Sequence, residues 1–311
     1  MDDAAPGTSV RLWADFLIIV EPLGGLGNQL FVYALGLANA RRLDVELAVD
    51  LWNFHGYDLR SYELGTFRNA ISREITTPPR PSPTKSLLIG KKIMCRSLRR
   101  EPRNLQAETI KHYDPKFLAV PDGSRLRGYF QSWKYLVSVA DELRASVWEL
   151  TNPSDWFSEK AEELSGAPWI GVHVRMGNYL TIPSMGVVPP IYYERAVSLL
   201  LELDDTVPIV VFSDSPQLVQ EMGLWRSLPK VSFFDSGPAN SPLETMLLMS
   251  LARHLVIGNS SFSWWAGWLG DRPDRKVVYP RPWVNGELHN DRELATPLWL
   301  GMSSEESRNY G

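Results

Sequence analysis

Short runs of apolar, β-branched residues recur along this chain. Each gives way to small or polar residues and then to a stretch with helical spacing. Phe16-Leu17-Ile18-Ile19-Val20 is the first run, continuous in the manner of a strand buried on both faces. Gly24-Gly25-Leu26-Gly27 turns the chain, and over 28–43 Leu30, Ala34, Leu37 and Ala38 recur on one helix face. Residues 45–49 form the next strand candidate. The second half alternates more clearly, with strands expected over 169–174, 208–212, 231–234, 255–257 and 276–279 and helices over 191–203, 216–222, 243–252 and 262–269. Strand, helix, strand at this spacing implies a parallel sheet with helices on both faces. The first half carries a weaker version of the pattern, with helices over 136–150 and 155–164 and a loop at Pro78, Pro79, Pro81 and Pro83. The expected fold is therefore α/β, with two Rossmann-like domains over residues 1–165 and 166–311 facing across a cleft.

Composition narrows the function class. The chain has 311 residues, 44% hydrophobic and 22% charged, an ordinary globular make-up. Lys plus Arg is 32 and Asp plus Glu is 36, so the net charge is 32 − 36 = −4. That leaves no cationic excess for a phosphate backbone, and nucleic acid is not an expected partner. Cys95 is the lone cysteine, so no intramolecular disulfide forms, which fits a reducing compartment. The acidic start differs from a basic signal peptide, and the run at 16–20 is too short to cross a bilayer. A cytoplasmic protein is expected, with membrane contact limited to the periphery of the inner face. The segment 85–103 offers such a contact. Lys85, Lys91, Lys92, Arg96, Arg99, Arg100 and Arg103 face one acid, Glu101, and apolar residues interleave with them. A basic amphipathic helix of this kind rests either on anionic lipid or against its own domain. The twelve tryptophans serve either as core or as stacking platforms.

In parallel α/β sheets, ligands bind outside the carboxyl ends of the strands. The residues just past each strand are therefore the candidate site. Arg175 comes after Gly171-Val172-His173-Val174, and its guanidinium fork fits either phosphate oxygens or an internal carboxylate. His173 is either a proton acceptor or a core histidine. Gly258-Asn259-Ser260-Ser261-Phe262-Ser263 leads from a strand into a helix start, where free amides and the helix dipole favour an anion. A plain N-cap by Ser260 or Ser261 accounts for one hydroxyl, not for three in four residues. Gly25 and Gly27 bring backbone amides to another helix start. That turn lacks the third glycine of the dinucleotide fingerprint, where Leu30 stands, and the Lys-Ser/Thr of a nucleotide-triphosphate loop. The polar pair Asn28-Gln29 ahead of an apolar helix is its unusual feature. Ser213 and Asp214 end another strand, and Asp214 either meets a ligand hydroxyl or caps the next helix. No Asp-x-Asp and no Cys/His cluster is present, so no metal is expected.

Five ordered segments carry a family resemblance: GGLGNQLFVYALGLANARRL at 24–43, GYFQSWKYL at 128–136, GVHVRMGNYL at 171–180, VFSD at 211–214 and PLETMLLMSLARHLVIGNSSFSWWAGWLG at 242–270. In this order they resemble the α1,2-fucosyltransferases of glycosyltransferase family 11. The resemblance implies the GT-B architecture and GDP-L-fucose used without a metal or other cofactor. It also implies inversion at the anomeric carbon and a galactose-containing glycan, lipid-linked in some bacterial cases, as acceptor. The carboxyl-terminal domain would hold the nucleotide and the amino-terminal domain the acceptor. Arg175 matches the first arginine of the His-x-Arg-Arg-Gly-Asp-Tyr motif, which grips the donor diphosphate. Asn28 matches the asparagine that points at the donor sugar and diphosphate. Ser261 and Phe262 match helix-start residues near the phosphates. The chain departs from the pattern at Met176, Asn178 and Thr245, where relatives carry arginine, aspartate and a guanine-contacting aspartate. Glu244 is the expected substitute for the last of these. Arg175, Asn28 and His173 thus form the expected catalytic set, with Asp214 a second candidate base. The same motifs also fit a transferase for another GDP-sugar, or an inactive relative that only binds nucleotide or glycan.

Overall fold

The computed structural model describes residues 17–54, 61–66, 73–76, 104–109, 112–149, 152–177, 186–236, 241–284 and 291–305. Two parallel sheets form among them, one from each half of the chain. The first contains β1 (Leu17–Glu21), β2 (Glu46–Asp50), β3 (Arg73–Ile75), β4 (Leu105–Ala107) and β5 (Arg125–Arg127), in the order β3-β2-β1-β5-β4. The second contains β6 (Ile170–Val174), β7 (Ile209–Ser213), β8 (Val231–Phe233), β9 (His254–Val256), β10 (Val277–Arg281) and β11 (Leu300–Ser303), in the order β11-β10-β9-β6-β7-β8. From β6 the chain winds outward through β7 and β8, returns to β9, and winds outward again on the other side. Its direction reverses between β6 and β9, the position where doubly wound sheets bind ligands. The corresponding reversal in the first sheet lies between β1 and β5. The fold is α/β with two Rossmann-like domains, as the strand and helix periodicity anticipates.

Helix α1 (Leu26–Leu43) is buried at nearly every position from Leu26 to Ala40, so it has no solvent-facing stripe over most of its length. The cause is tertiary. One side lies on the first sheet, where Gly36 touches Val20 and Leu47. The other lies on α7 (Ser261–Leu269), where the Phe31 ring sits 4.5 Å from Trp264 and 5.1 Å from Trp265. One apolar core therefore runs from the first sheet through α1 into α7 and α6 (Pro242–Ser250). A second core lies on the far face of the β6-centred sheet, under α4 (Pro190–Leu201). Trp264, Trp265, Trp268, Trp283 and Trp299 all belong to the first core, so these tryptophans are packing and not a stacking platform.

Contacts cross the expected junction near residue 165. Two further helices, α2 (Ala140–Trp148) and α3 (Asp155–Ser165), precede β6. Helix α3 packs on the second half, with Trp156 edge-on to Phe234 and its cap Ser154 bonded to Glu244 of α6. After α5 (Pro216–Gln220) and the elements above, α8 (Asp291–Leu294) returns to the first half. There Glu293 accepts from the Tyr113 backbone amide at 3.0 Å and, through its carbonyl, from Ser132 Oγ at 2.8 Å. Strands β3, β4, β5 and β11 are three or four residues each, too short for alternation to announce them. The 85–103 segment, Cys95 and Asn178 lie outside the described residues. Among the described residues no helix is long and apolar enough to cross a membrane.

Candidate active site

Two helix starts meet at the carboxyl ends of the two sheets. Helix α1 comes after β1 and begins after Gly25; α7 comes after β9 and begins after Ser260. Neither N-cap residue makes a side-chain cap bond, and neither first turn holds an acid. Each helix therefore keeps its positive pole, roughly half an elementary charge, without a counter-charge of its own. The two poles are in contact. A Cβ on Gly27 would stand 2.5 Å from the Ser261 carbonyl carbon, 2.6 Å from its oxygen and 2.7 Å from the Phe262 nitrogen. Trp265 Nε1 donates to the Gly27 carbonyl at 2.8 Å and clamps the junction. Like poles held together in this way present the kind of free amides and positive potential that favour an anion. The hydroxyls are not explained by plain capping: Ser260 is the N-cap residue but its side chain caps nothing, while Ser263 Oγ turns inward to the Ser260 carbonyl at 3.2 Å.

Arg175 stands beside this junction. The register Val172↔Val256 sets the ends of β6 and β9 side by side, so Arg175 and Asn259 emerge from neighbouring strands. Arg175 Nη1 is 2.7 Å from Asp214 Oδ2, and Asp214 Oδ1 accepts from the Met176 amide at 2.9 Å. Gly177, with φ of +24°, makes room for the carboxylate, since a Cβ there would lie 2.1 Å from Asp214 Oδ2. The internal ion pair is thus the arrangement Arg175 adopts, and it fixes the guanidinium at the strand mouth with its side chain 17% exposed. Asp214 does not cap α5. Ser215 is the N-cap residue without a side-chain bond, and Ser213 Oγ accepts from the Ser215 amide at 3.0 Å. Asn259 Nδ2 donates to the Gly186 carbonyl at 3.1 Å and ties the chain at 186 to the end of β9.

The two candidate bases are both held by their surroundings. His173 is buried inside β6, with its ring 5.7 Å from Phe262 and Nδ1 without a partner among the described residues. Burial first, and the nearby Arg175 cation second, push its pKa down to about 3. The enclosed imidazole is neutral and packs under Phe262. Asp214 is engaged by Arg175 and Met176. Glu244 has local partners: its oxygens accept from the Ser154 amide at 2.7 Å and Ser154 Oγ at 2.8 Å, so it ties α6 to α3. Its neighbour Thr245 keeps a buried hydroxyl with no partner among the described residues.

The Asn28-Gln29 pair divides its duties. Gln29 is fully buried; its Nε2 donates to the Gly24 and Ser61 carbonyls, each at 2.9 Å, and its Oε1 accepts from the Glu63 amide at 3.0 Å. It braces the glycine turn. Asn28 stays half-buried at the junction, and its Oδ1 accepts from Gln131 Nε2 at 2.8 Å. Gln131 lies in one of the resembling segments, but the three-residue strand before it gives no periodic signal, so strand-mouth reasoning passes it by. Among the described residues, no three His, Cys, Asp or Glu side chains cluster as metal ligands.

The family model for glycosyl transferase family 11 matches residues 107–303, more than half of the chain. The chain belongs to this family. As a family 11 glycosyltransferase it is 27% identical over 307 residues to the O-antigen biosynthesis glycosyltransferase WbnK of Escherichia coli, covering 90% of this chain and 98% of that one. It is 26% identical over 302 residues to an α-1,2-colitosyltransferase of Escherichia coli, covering 91% of this chain and 98% of that one. Among solved structures, the fucosyltransferase NodZ from Bradyrhizobium aligns over 81% of this chain and 92% of that chain, at 14% identity and a TM-score of 0.46.

Proposed function

We propose that this family 11 glycosyltransferase is an inverting, metal-independent fucosyltransferase. It would move L-fucose from GDP-β-L-fucose to the 2-hydroxyl of a galactoside in a glycan, with α1,2 linkage. The observation that carries the reading is the meeting of two uncapped helix starts at Gly27 and Ser261, beside the anchored Arg175. Breaking a sugar–diphosphate bond places negative charge on the departing nucleotide. Preorganised donors aimed at that charge lower the barrier most. Here the donors are the α1 and α7 amides, the Arg175 guanidinium and Asn28. They cost little reorganisation because Asp214, Trp265 and Gln131 already hold them. The acceptor oxygen bonds to the anomeric carbon from the face opposite the diphosphate, GDP leaves with the bonding pair, and the hydroxyl proton is released to solvent.

A second reading keeps the chemistry and changes the sugar. Met176 and Thr245 replace charged residues of the resembling motifs, and one relative is a colitosyltransferase. Calorimetry with GDP, UDP and ADP in EDTA, then transfer assays with GDP-fucose and GDP-colitose on galactosides, decides between them. GDP binding that EDTA leaves intact, with fucosyl transfer, supports the first reading. Transfer from GDP-colitose alone replaces it with the second. A preference for UDP, or transfer only with added metal, overturns both, and nucleotide binding without transfer from either donor overturns the enzyme reading.

A further inference from the structure

We infer that Gln131 is a positioning residue that fixes which end of the Asn28 carboxamide faces the donor anion. The inference rests on the donor reading above and gives a specific task to a residue that reading names only as a brace. A carboxamide on a broad, two-fold terminal torsion can present either its NH2 or its carbonyl. Beside an anion the first attracts and the second repels. Gln131 Nε2 donates to Asn28 Oδ1 at 2.8 Å, which occupies the carbonyl and leaves the NH2 as the end of the carboxamide available to an anion. The backbone beneath makes room for that orientation. Gly24 has φ of +70°, and a Cβ there would stand 2.8 Å from Asn28 Nδ2.

The loop that carries Gln131 is held as a rigid mount. Phe130 has φ of +48°, a conformation rarely adopted by a residue with a Cβ and kept only where the surroundings impose it. The constraints are present on both sides. Glu108 accepts from the Tyr129 amide at 2.7 Å and from the Phe130 amide at 3.1 Å, and the Phe130 ring is fully buried. Ser132 Oγ donates to the Glu293 carbonyl at 2.8 Å, so α8 from the second half of the chain fastens the far end. The mount sits after β5, at the reversal of the first sheet, and reaches α1 through the Gln131–Asn28 bond. A loop with no task beyond joining elements has no need of such constraint.

The test is a double-mutant cycle read by calorimetry with GDP and with inorganic pyrophosphate. The variants are Q131M, which keeps size but loses the donor, Q131E, which can only accept, and N28A alone and combined with each. Q131M should weaken both probes about tenfold, the weight of one charge-assisted hydrogen bond. Q131E should weaken them more, because it draws the Asn28 NH2 toward itself and turns the carbonyl outward. In the N28A background, Q131M should change affinity less than twofold, and whatever Q131E still costs there is plain charge repulsion. A merely structural role would lower the unfolding temperature and leave the losses multiplicative. Losses that multiply in the double variants, or a Q131M affinity within twofold of the unmodified protein, overturn the inference while the donor reading stands. If the unmodified protein binds neither GDP nor pyrophosphate, the donor reading falls and this inference falls with it.

Discussion

Replacing Gly27 with alanine adds a single methyl group at the contact between the two helix starts. In an ordinary helix interior this change is stabilising, by up to about 1 kcal/mol. Here the added carbon would meet backbone atoms of Ser261 and Phe262 at 2.5 to 2.7 Å. Neither partner is a flexible side-chain tip, so α1 and α7 must part by close to an ångström. Overpacking of this kind costs about 1–3 kcal/mol, which outweighs the helical gain, and the Trp265 bond to the Gly27 carbonyl stretches with it. A misplacement of about 1 Å in a preorganised site can cost on the order of 100-fold in rate. G27A should therefore unfold at lower denaturant and bind GDP and turn over donor far more weakly. Two controls separate position from stability. Gly223 has nothing within 4 Å of a built Cβ, so G223A should be neutral. Gly36 would press on Val20 Cγ1 at 2.3 Å, so G36A should destabilise the fold while GDP affinity stays within a few-fold. Urea unfolding and calorimetry on the three variants are the assays. A G27A protein as stable as the parent with parental GDP affinity would refute the packed-pole account.

Arg175→Ala should leave the fold intact and lower transfer by about 10²–10³-fold; near-normal turnover would remove the guanidinium from the mechanism. His173 is depressed to about 3 in the folded protein, whereas an unfolded histidine titrates near ~6.5. The unfolded chain takes up a proton the folded one refuses, so stability is full above that unfolded value and falls as pH drops toward the folded one. The loss amounts to about 3 kcal/mol by about pH 4, and urea midpoints of a folded His173→Phe variant should show a flatter acid limb. An unchanged limb would contradict the buried, neutral imidazole. Glu244→Ala removes the acceptor of both Ser154 bonds and should cost about 2 kcal/mol of stability. GDP affinity should hold in that variant; lost affinity with unchanged stability would return Glu244 to the nucleotide site.

Local pattern carried the second half of the fold. The apolar runs at 169–174 and 208–212 are buried strands β6 and β7 within one residue at each end, because a strand covered on both faces admits few polar residues. The first half was harder to read. Arg125-Leu126-Arg127 forms β5, yet it carries two charges in three residues. Those charges are stable there because Arg125 reaches Glu21 and Asp50, and Arg127 reaches Glu21. No window of sequence shows that those acids wait at the ends of β1 and β2.

The candidate site divides in the same way. The sequence by itself placed Arg175, Asp214, Asn28 and Ser260 to Phe262 at strand mouths, since the end of an apolar run and the residues next to it are local facts. Only the tertiary structure decided their partners. It paired Asp214 with Arg175 and not with the next helix, and it gave Glu244 to Ser154. It also buried His173 against Phe262 and brought Gln131 to Asn28 across 103 positions. The contact that defines the site joins Gly27 to the α7 start, and its Trp265 clamp spans 238 positions. Periodicity is set by neighbours in the chain. Which strand mouth faces which is set by the twist and order of two sheets, and by a glycine whose value appears only once another backbone lies against it.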